Sequence, residues 1–385
     1  MILRRNGPGL GAVRPGRRRG CPAGRVPQAS HARPENRSLP AGAGPSVRSV
    51  RSPPVELAPG RLAAALAEGW CLRAASMRYV PEGGGSFHWK LTGDDGRPHF
   101  VTVDDLDGKD WLGDTRQAVF EGLGRSLDTA AALRYEVGLD FVVPAVPARG
   151  GELVRRLDGR YTVSVFPFLA GRSFRFGPYP DARLRGRALD MIAALHRSTP
   201  AVRDRATRHS LRFTGREDLA AFLEDPGRRW DDGPFSEAAR SLLMTRAADL
   251  AQLTDGFDRL AEATAPARAE VVITHGEPHP ANLMAVDGHL LLIDWDTTAL
   301  APPERDVCLI ATTGNRGVDR YQQAAGRELD PAVLTLYRLR WYLDDLASAV
   351  RLFRHRHRDT PDTRRWRDGL AAGLERLPHW LGLLG

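Results

Sequence analysis

Lysine is nearly absent from this chain. Lys90 and Lys109 are the only two in 385 residues, although arginine is abundant. Chemistry that needs an ammonium group therefore has two candidates, and the arginine bias is that of a GC-rich coding sequence. Cysteine is also scarce. Cys21, Cys71 and Cys308 are odd in number and lack CxxC spacing, which argues against a disulfide framework or a zinc knuckle and fits a reducing cytoplasm. No apolar run approaches the roughly 20 residues of a membrane span, so no membrane partner is expected. No internal repeat is found. The 42% of hydrophobic residues suffices for a sizeable core or for two lobes.

The net charge of +8 is unevenly placed. Residues 1–52 hold eleven Arg and one Glu, a local charge of +10, so the remainder carries about −2. The basic character belongs to the tail, and no nucleic-acid partner is expected for the body. Residues 1–54 are rich in Arg, Pro and Gly, lack apolar periodicity and read as a disordered tail without a secretory signal.

From about Val55 the pattern becomes regular. "LAPGRLAAALAEGW" has helical spacing with a proline near its start. Met77–Val80, Phe87–Leu91 and His99–Val103 read as three strands, the first ending in Glu82-Gly83-Gly84-Gly85-Ser86 and the second joined to the third by "TGDDG". A helix is expected over 115–137, then strands in "FVVPAVPA" and "YTVSVFPFL". Beyond these the chain turns helical: "ARLRGRALDMIAALHRS", stretches within 215–264, and two closing helices near 330–355 and 362–382. The expected fold is α+β and bilobal, with a small β-rich lobe at 55–167 and a larger helical lobe at 168–385.

The segment "VVITHGEPHPANLMAVDGHLLLIDWD", residues 271–296, interrupts the helical half. "LMAV" and "HLLLID" flank Asp287-Gly288, a strong hairpin signal. His275-Gly276-Glu277 is followed by four residues and Asn282, and the hairpin then leads to Asp294 and Asp296. Phosphoryl transfer needs this order: a carboxylate beside the attacking hydroxyl, then an Asn and an Asp whose oxygens hold magnesium on the phosphates. The hairpin returns the chain so that Asp294 meets Asn282. A zinc site of the HExxH kind is disfavoured, because Gly276 and Pro278 break the helix it requires. His275 is expected to bond the loop backbone, and His196 to be a packed or capping histidine. Asp306 is expected to cap the next helix or brace the loop.

The same motif resembles that of the aminoglycoside phosphotransferase family, which has a protein-kinase-like fold. "GGGSFHWKL" resembles the family's nucleotide loop. "FVVPAVPARGGELVRRLDGRYTVSVFPFLAGRSF" resembles the strands and hinge between its lobes, most closely in spectinomycin-type members. "LYRLRWYLDDLASAVRLF" resembles its late substrate-side helix. The likeness spans about residues 60–355. It implies that Glu277 stands where the family has its catalytic Asp, with Asn282 and Asp294 as magnesium ligands and Asp296 as a second metal or substrate contact. Gly84, Gly85 and Ser86 would lie over the phosphates, and Phe166 and Phe168 beside the adenine. On the late helix, Asp344 or Asp345 either faces the cleft and attracts a cationic substrate or is an ordinary amphipathic position, and Trp341 either stacks on a sugar ring or packs in the core. ATP or GTP and Mg2+ are the implied cofactors. The implied partner is a hydroxylated, cationic small molecule such as an aminoglycoside or aminocyclitol, with choline, homoserine or a sugar as alternatives. A cytoplasmic monomer or weak dimer is expected.

Two departures stand out. Glu277 replaces an Asp of similar acidity (about 4.3 against 3.9), but its extra methylene shifts the carboxylate by roughly an ångström, a displacement able to cost about 10²-fold. A working base and a pseudo-enzyme that only binds nucleotide are the two readings. Thr102 occupies the third-strand position of the phosphate-gripping lysine. That leaves Lys90, on the neighbouring strand and slightly favoured, Lys109 beyond the acidic turn "DDLDG", or an Arg. Glu121 and Asp128 are the candidates for the carboxylate that pairs with this lysine.

Overall fold

A computed structural model of the chain describes residues 52–54, 56–264, 270–311 and 317–384. The expected tail thus lies, apart from Ser52–Pro54, outside the described residues. Helix α1 (Pro59–Trp70) begins on a proline, whose missing N–H is no loss in a first helical turn. Strands β1 (Ala74–Val80), β2 (Ser86–Gly93), β3 (Pro98–Asp105), β4 (Arg155–Arg156) and β5 (Tyr161–Pro167) form one antiparallel sheet in the order β1-β2-β3-β5-β4. Helix α2 (Arg116–Tyr135) is capped by Thr115, whose Oγ accepts the Ala118 N–H at 3.1 Å.

Strand alternation divides this sheet into two faces. Trp89, Leu91, Val101, Val103, Val163 and Val165 pack with Leu62 and Leu66 of α1 in one core. The opposite face carries Ser86, His88 and Lys90 on β2, Phe100, Thr102 and Asp104 on β3, and Ser164 and Phe166 on β5, all lining a large cavity. Register orders them into rows: Ser86 beside Asp104, then His88–Thr102–Ser164, then Lys90–Phe100–Phe166. "FVVPAVPA" is not the regular strand expected. Pro144 and Pro147 have no N–H to donate, so the segment keeps only scattered bonds, such as Val143 N–H to Leu292 O at 3.3 Å and Val146 N–H to Val165 O at 2.7 Å.

The larger lobe follows. It contains β6 (Arg172–Ser173), α3 (Ala182–Arg197), α4 (Thr199–Val202), α5 (Arg216–Glu224), α6 (Ser236–Met244) and α7 (Ala247–Thr264). Then come β7 (Val272–Thr274), β8 (Leu283–Val286), β9 (His289–Leu292) and β10 (Ala299–Ala301). The chain closes with α8 (Glu304–Ile310), α9 (Val318–Ala325), α10 (Pro331–Arg354), α11 (Pro361–Glu375) and α12 (Leu377–Leu381). Helix α10 sends Leu336, Leu339, Leu343, Leu346, Val350 and Phe353, at spacings of three and four, into a core shared with α5, α6, α7 and α11. The β8–β9 hairpin turns on Asp287 and Gly288, both at positive φ (47° and 82°), as a tight two-residue turn requires. Among the described residues, no helix is long and apolar enough to cross a membrane.

Two glycines separate backbone strain from steric clash. Gly288 has open space around a would-be Cβ, so Gly288→Ala should cost about 1 kcal/mol through its backbone angle alone. Gly215, at φ 76°, would place a Cβ 2.2 Å from the Ala347 carbonyl oxygen of α10, and Gly215→Ala should cost more than about 3 kcal/mol. Equal urea-denaturation midpoints for the two variants would contradict this packing.

Candidate active site

The loop after β7 is held by a buried chain of side chains. Asp306 of α8 accepts the His275 N–H at 2.8 Å and the Gly276 N–H at 2.6 Å. It also meets His196 Nε2 at 3.0 Å, and the other nitrogen of His196 meets the Tyr321 hydroxyl at 2.6 Å. Burial lowers the His196 pKa, so the neutral ring donates from Nε2 and accepts from Tyr321. Burial alone would raise the Asp306 carboxyl, but the His196 hydrogen bond and the Arg305 charge bring it below its ordinary value. Gly276 stands at φ 100°, and a Cβ there would lie 2.4 Å from Arg305 Nη2. Arg305 donates to Thr274 Oγ at 2.7 Å and to the Thr297 carbonyl at 2.9 Å.

His275 bonds the loop backbone, as expected. Its Nε2 donates to Ile293 O at 3.0 Å, and its Nδ1 accepts the Glu277 N–H at 3.2 Å. Burial pushes its pKa down to about 4. The neutral ring therefore ties Glu277 to the strand end that leads into Asp294. The hairpin supplies the second tie: Ile293 N–H donates to Asn282 O at 3.0 Å. Asn282 Nδ2 donates to the Glu277 carbonyl at 2.9 Å, which leaves its Oδ1 as the open acceptor.

Asp294 sits in left-handed backbone at φ 68°, rare outside glycine and typical of residues held for function. Its carboxylate opens into the cavity but is ringed by protein. Burial, Asp296 and Glu277 together raise its pKa well above the ordinary value, against the pull of Lys109. Among the described residues no donor hydrogen-bonds it. Asp296 shares the crowding and is ion-paired to Lys109. Lys109 is itself buried, with 1% of its side chain exposed, and lies 3.1 Å from Asp104 Oδ1. Burial would lower its pKa, but Asp104, Asp296 and Asp294 outweigh that and hold it well above its usual value.

An Asn oxygen beside Asp294 and Asp296 is a hard-oxygen set that suits magnesium completed by phosphates and water. A divalent cation there would relieve the repulsion that raises Asp294. Among the described residues no three His, Cys, Asp or Glu side chains stand in metal-holding geometry, so the metal would rest on this smaller set.

One cavity of about 1180 Å3 is lined by Asp104, Glu277, Asn282, Asp294 and Asp296. At one end are the glycine turn, the outer face of the sheet, and Phe166 and Phe168. Ser164 Oγ, buried on this wall, has no partner among the described residues. Gly83 and Gly84 line the cavity while Gly85 does not; Gly83 and Gly85 both hold positive φ (91° and 93°). Lys90 also lines it, with its ammonium 4.1 Å above the Phe168 ring. At the other end stand Glu277, Trp341, Asp344 and Asp345. The last three share one face of α10 at spacings of three and four. Asp344 accepts the Thr214 N–H at 3.0 Å.

Several groups escape sequence reading. Trp111, from the segment after β3, enters the acceptor end, and Phe176 stacks edge-on against His279 at 4.8 Å. Only the crowding of acids and one lysine in "DDLDGKD" marked the Trp111 segment. Thr102 pairs with His88, Oγ to Nδ1 at 3.2 Å, and burial lowers His88 to about 4. The expected lysine position is thus filled by a neutral pair. Glu121 and Asp128 pair with neither lysine: Glu121 bonds Gln117 on the surface of α2, and Asp128 stands near Arg205.

A family model described as the phosphotransferase enzyme family matches residues 83–342. The protein StrN of Streptomyces griseus is 26% identical over 302 residues, which cover 72% of this chain and 90% of StrN. A spectinomycin phosphotransferase solved with ADP and spectinomycin superposes with a TM-score of 0.64 at 15% identity, over 85% of this chain and 99% of that one. An amicoumacin kinase solved with AMP-PNP and Ca2+ gives 0.54 at 14% identity, over 84% and 94%. The fold is the bilobal, protein-kinase-like one.

The buried neutral histidines set an acid limit. His88 and His275 titrate near 4 when folded but near 6.5 when unfolded, so between these values the unfolded chain binds more protons. Stability should therefore fall as pH drops from about 6.5 towards 4, with the Asp306 contribution lost only below about 3.8. Denaturation midpoints measured from pH 7 to pH 5 should decline; a flat profile would contradict the buried neutral rings.

Proposed function

This chain belongs to the phosphotransferase enzyme family, and we propose that it moves the γ-phosphate of ATP, or of GTP, to a hydroxyl of a small cationic molecule, an aminoglycoside or aminocyclitol. One observation carries this reading above the others. A single cavity runs from the glycine turn, past Glu277, Asn282 and Asp294, to an acidic and aromatic end. The lobe at 55–167 is assigned to the nucleotide and that at 168–385 to catalysis and the acceptor. A cytoplasmic location, where ATP is supplied, is part of this reading.

The roles follow from position. Gly83, Gly84 and Ser86 cover the phosphates, where backbone N–H groups meet anionic oxygens. Phe166 and Phe168 flank the adenine. Asn282 and Asp294, with Asp296 beside them, would hold magnesium, which when bound neutralises phosphate charge and orients the γ-phosphoryl group. Glu277 orients the acceptor hydroxyl and takes its proton as the oxygen–phosphorus bond forms and ADP departs. The transition state is loose, so positioning dominates and a glutamate can serve where an aspartate is usual. Trp341, Asp344 and Asp345 receive a hydroxylated amine: the carboxylates favour its charge and the indole a ring face.

The direct test is ATP consumption with magnesium over a panel of spectinomycin, aminoglycosides, choline, homoserine and simple sugars. Turnover is expected on an aminocyclitol or aminoglycoside. It should fall about 10²- to 10⁴-fold in Glu277→Gln and vanish in Asp294→Ala. Turnover that survives Asp294→Ala would sink the site assignment. A separate prediction concerns the acceptor. The double variant Asp344→Asn/Asp345→Asn should raise KM for a cationic acceptor about tenfold or more and leave KM for ATP within twofold; an equal rise in both would place these carboxylates elsewhere.

A further inference from the structure

The row of the sheet that holds Lys90 is cationic and aromatic and contains no carboxylate. Across β1, β2, β3 and β5 it runs Arg78–Lys90–Phe100–Phe166, and all four side chains line the cavity. Lys90 lies four residues along β2 from Ser86, about 13 Å away at strand rise. It therefore stands beside the rings and not beside the glycine turn. The neutral His88–Thr102 pair fills the row between.

Arg78 and Lys90 are direct cross-strand partners, a position where like charges repel and destabilise a sheet. Among the described residues neither makes a hydrogen bond or an ion pair. The Lys90 ammonium rests 4.1 Å from the centre of the Phe168 ring, a contact that leaves its three N–H donors unspent. Sheet stability does not call for this pair, and no carboxylate in the row neutralises it. Two cationic donors among aromatic rings suit a flat ligand with hydrogen-bond acceptors on its edge.

The purine bases differ in that respect. Guanine carries O6 and N7 side by side, both acceptors, whereas adenine puts the N6 amino donor next to N7. Two donors converging on that edge match guanine and oppose the amino group of adenine. Resting on the kinase reading above, which sets the base beside Phe166 and Phe168, we propose that Lys90, with Arg78 beside it, reads O6 and N7 of guanine, so that the protein prefers GTP to ATP as its phosphate donor.

Calorimetry with the magnesium complexes of the β,γ-imido analogues of GTP and ATP tests this. Wild-type protein should bind the guanine analogue about 10- to 100-fold more tightly, the span expected when a base-edge contact discriminates. Lys90→Met should bring that ratio within about threefold by weakening the guanine analogue, and Lys90→Arg should keep most of it, since arginine reads the same edge. Lys90 leaves no ion-pair partner stranded, so both variants should fold. 7-Deaza-GTP, which lacks the N7 acceptor, should compete less well than GTP for wild-type protein and equally well for Lys90→Met. The inference is overturned if wild-type protein binds the two analogues equally or favours adenine. It is also overturned if Lys90→Met weakens both analogues by the same factor, which is the result for a lysine that meets phosphates, or if Lys90→Met/Arg78→Met keeps the wild-type preference. Failure of wild-type protein to bind either analogue with magnesium would instead overturn the kinase reading on which this rests.

Discussion

Asp104, Asp294 and Asp296 share a single ammonium, that of Lys109. Three carboxylates against one cation is an unfavourable balance inside a protein, and stability does not require it. Burial and mutual repulsion hold Asp294 partly against ionisation, while Lys109 keeps Asp296 in place. The arrangement leaves negative charge unspent at one point of the cavity, beside the open oxygen of Asn282. A divalent cation brought there together with phosphates would complete it.

Holding like charges together requires a rigid frame, and the frame is neutral or buried. His275 ties Glu277 to Ile293, and Asn282 ties its own side chain to the Glu277 backbone. Behind them the Tyr321–His196–Asp306 chain fixes the two N–H groups that start the loop. These bonds hold the loop and the strand end that leads into Asp294, itself in left-handed backbone. The acceptor end is built differently. Its carboxylates stand on a long, well-packed helix, so their spacing comes from helix geometry and their exposure from the face opposite the core.

Much of this was legible in the sequence where the signal is local. The glycine turn, the Asp287-Gly288 hairpin and the α10 face each rest on spacings of a few residues. The spacing from Glu277 to Asn282 to Asp294 could be read because the hairpin makes the return path short. What escaped depends on distance along the chain. Asp306 lies 110 residues from His196, and Lys109 lies 187 from Asp296, and no periodicity links such pairs. Lys90 drew attention because it lies on the strand that follows the glycine turn, but that position is silent about which row of the sheet it joins. "FVVPAVPA" looked like a strand by composition, and its two prolines decided otherwise. Two-residue strands such as β4 and β6 are too short to leave a pattern.

The central claim is that the carboxylate cluster is completed by a metal and a nucleotide together. The measurement that reaches it most directly is calorimetric titration of a non-hydrolysable ATP analogue into wild-type protein, in magnesium and in EDTA. Buffers of different ionisation enthalpy would report the protons exchanged. The account predicts binding that depends on magnesium and favours proton release, because a cation beside Asp294 draws its raised pKa back down. Equal affinity in EDTA, without proton release, would contradict it.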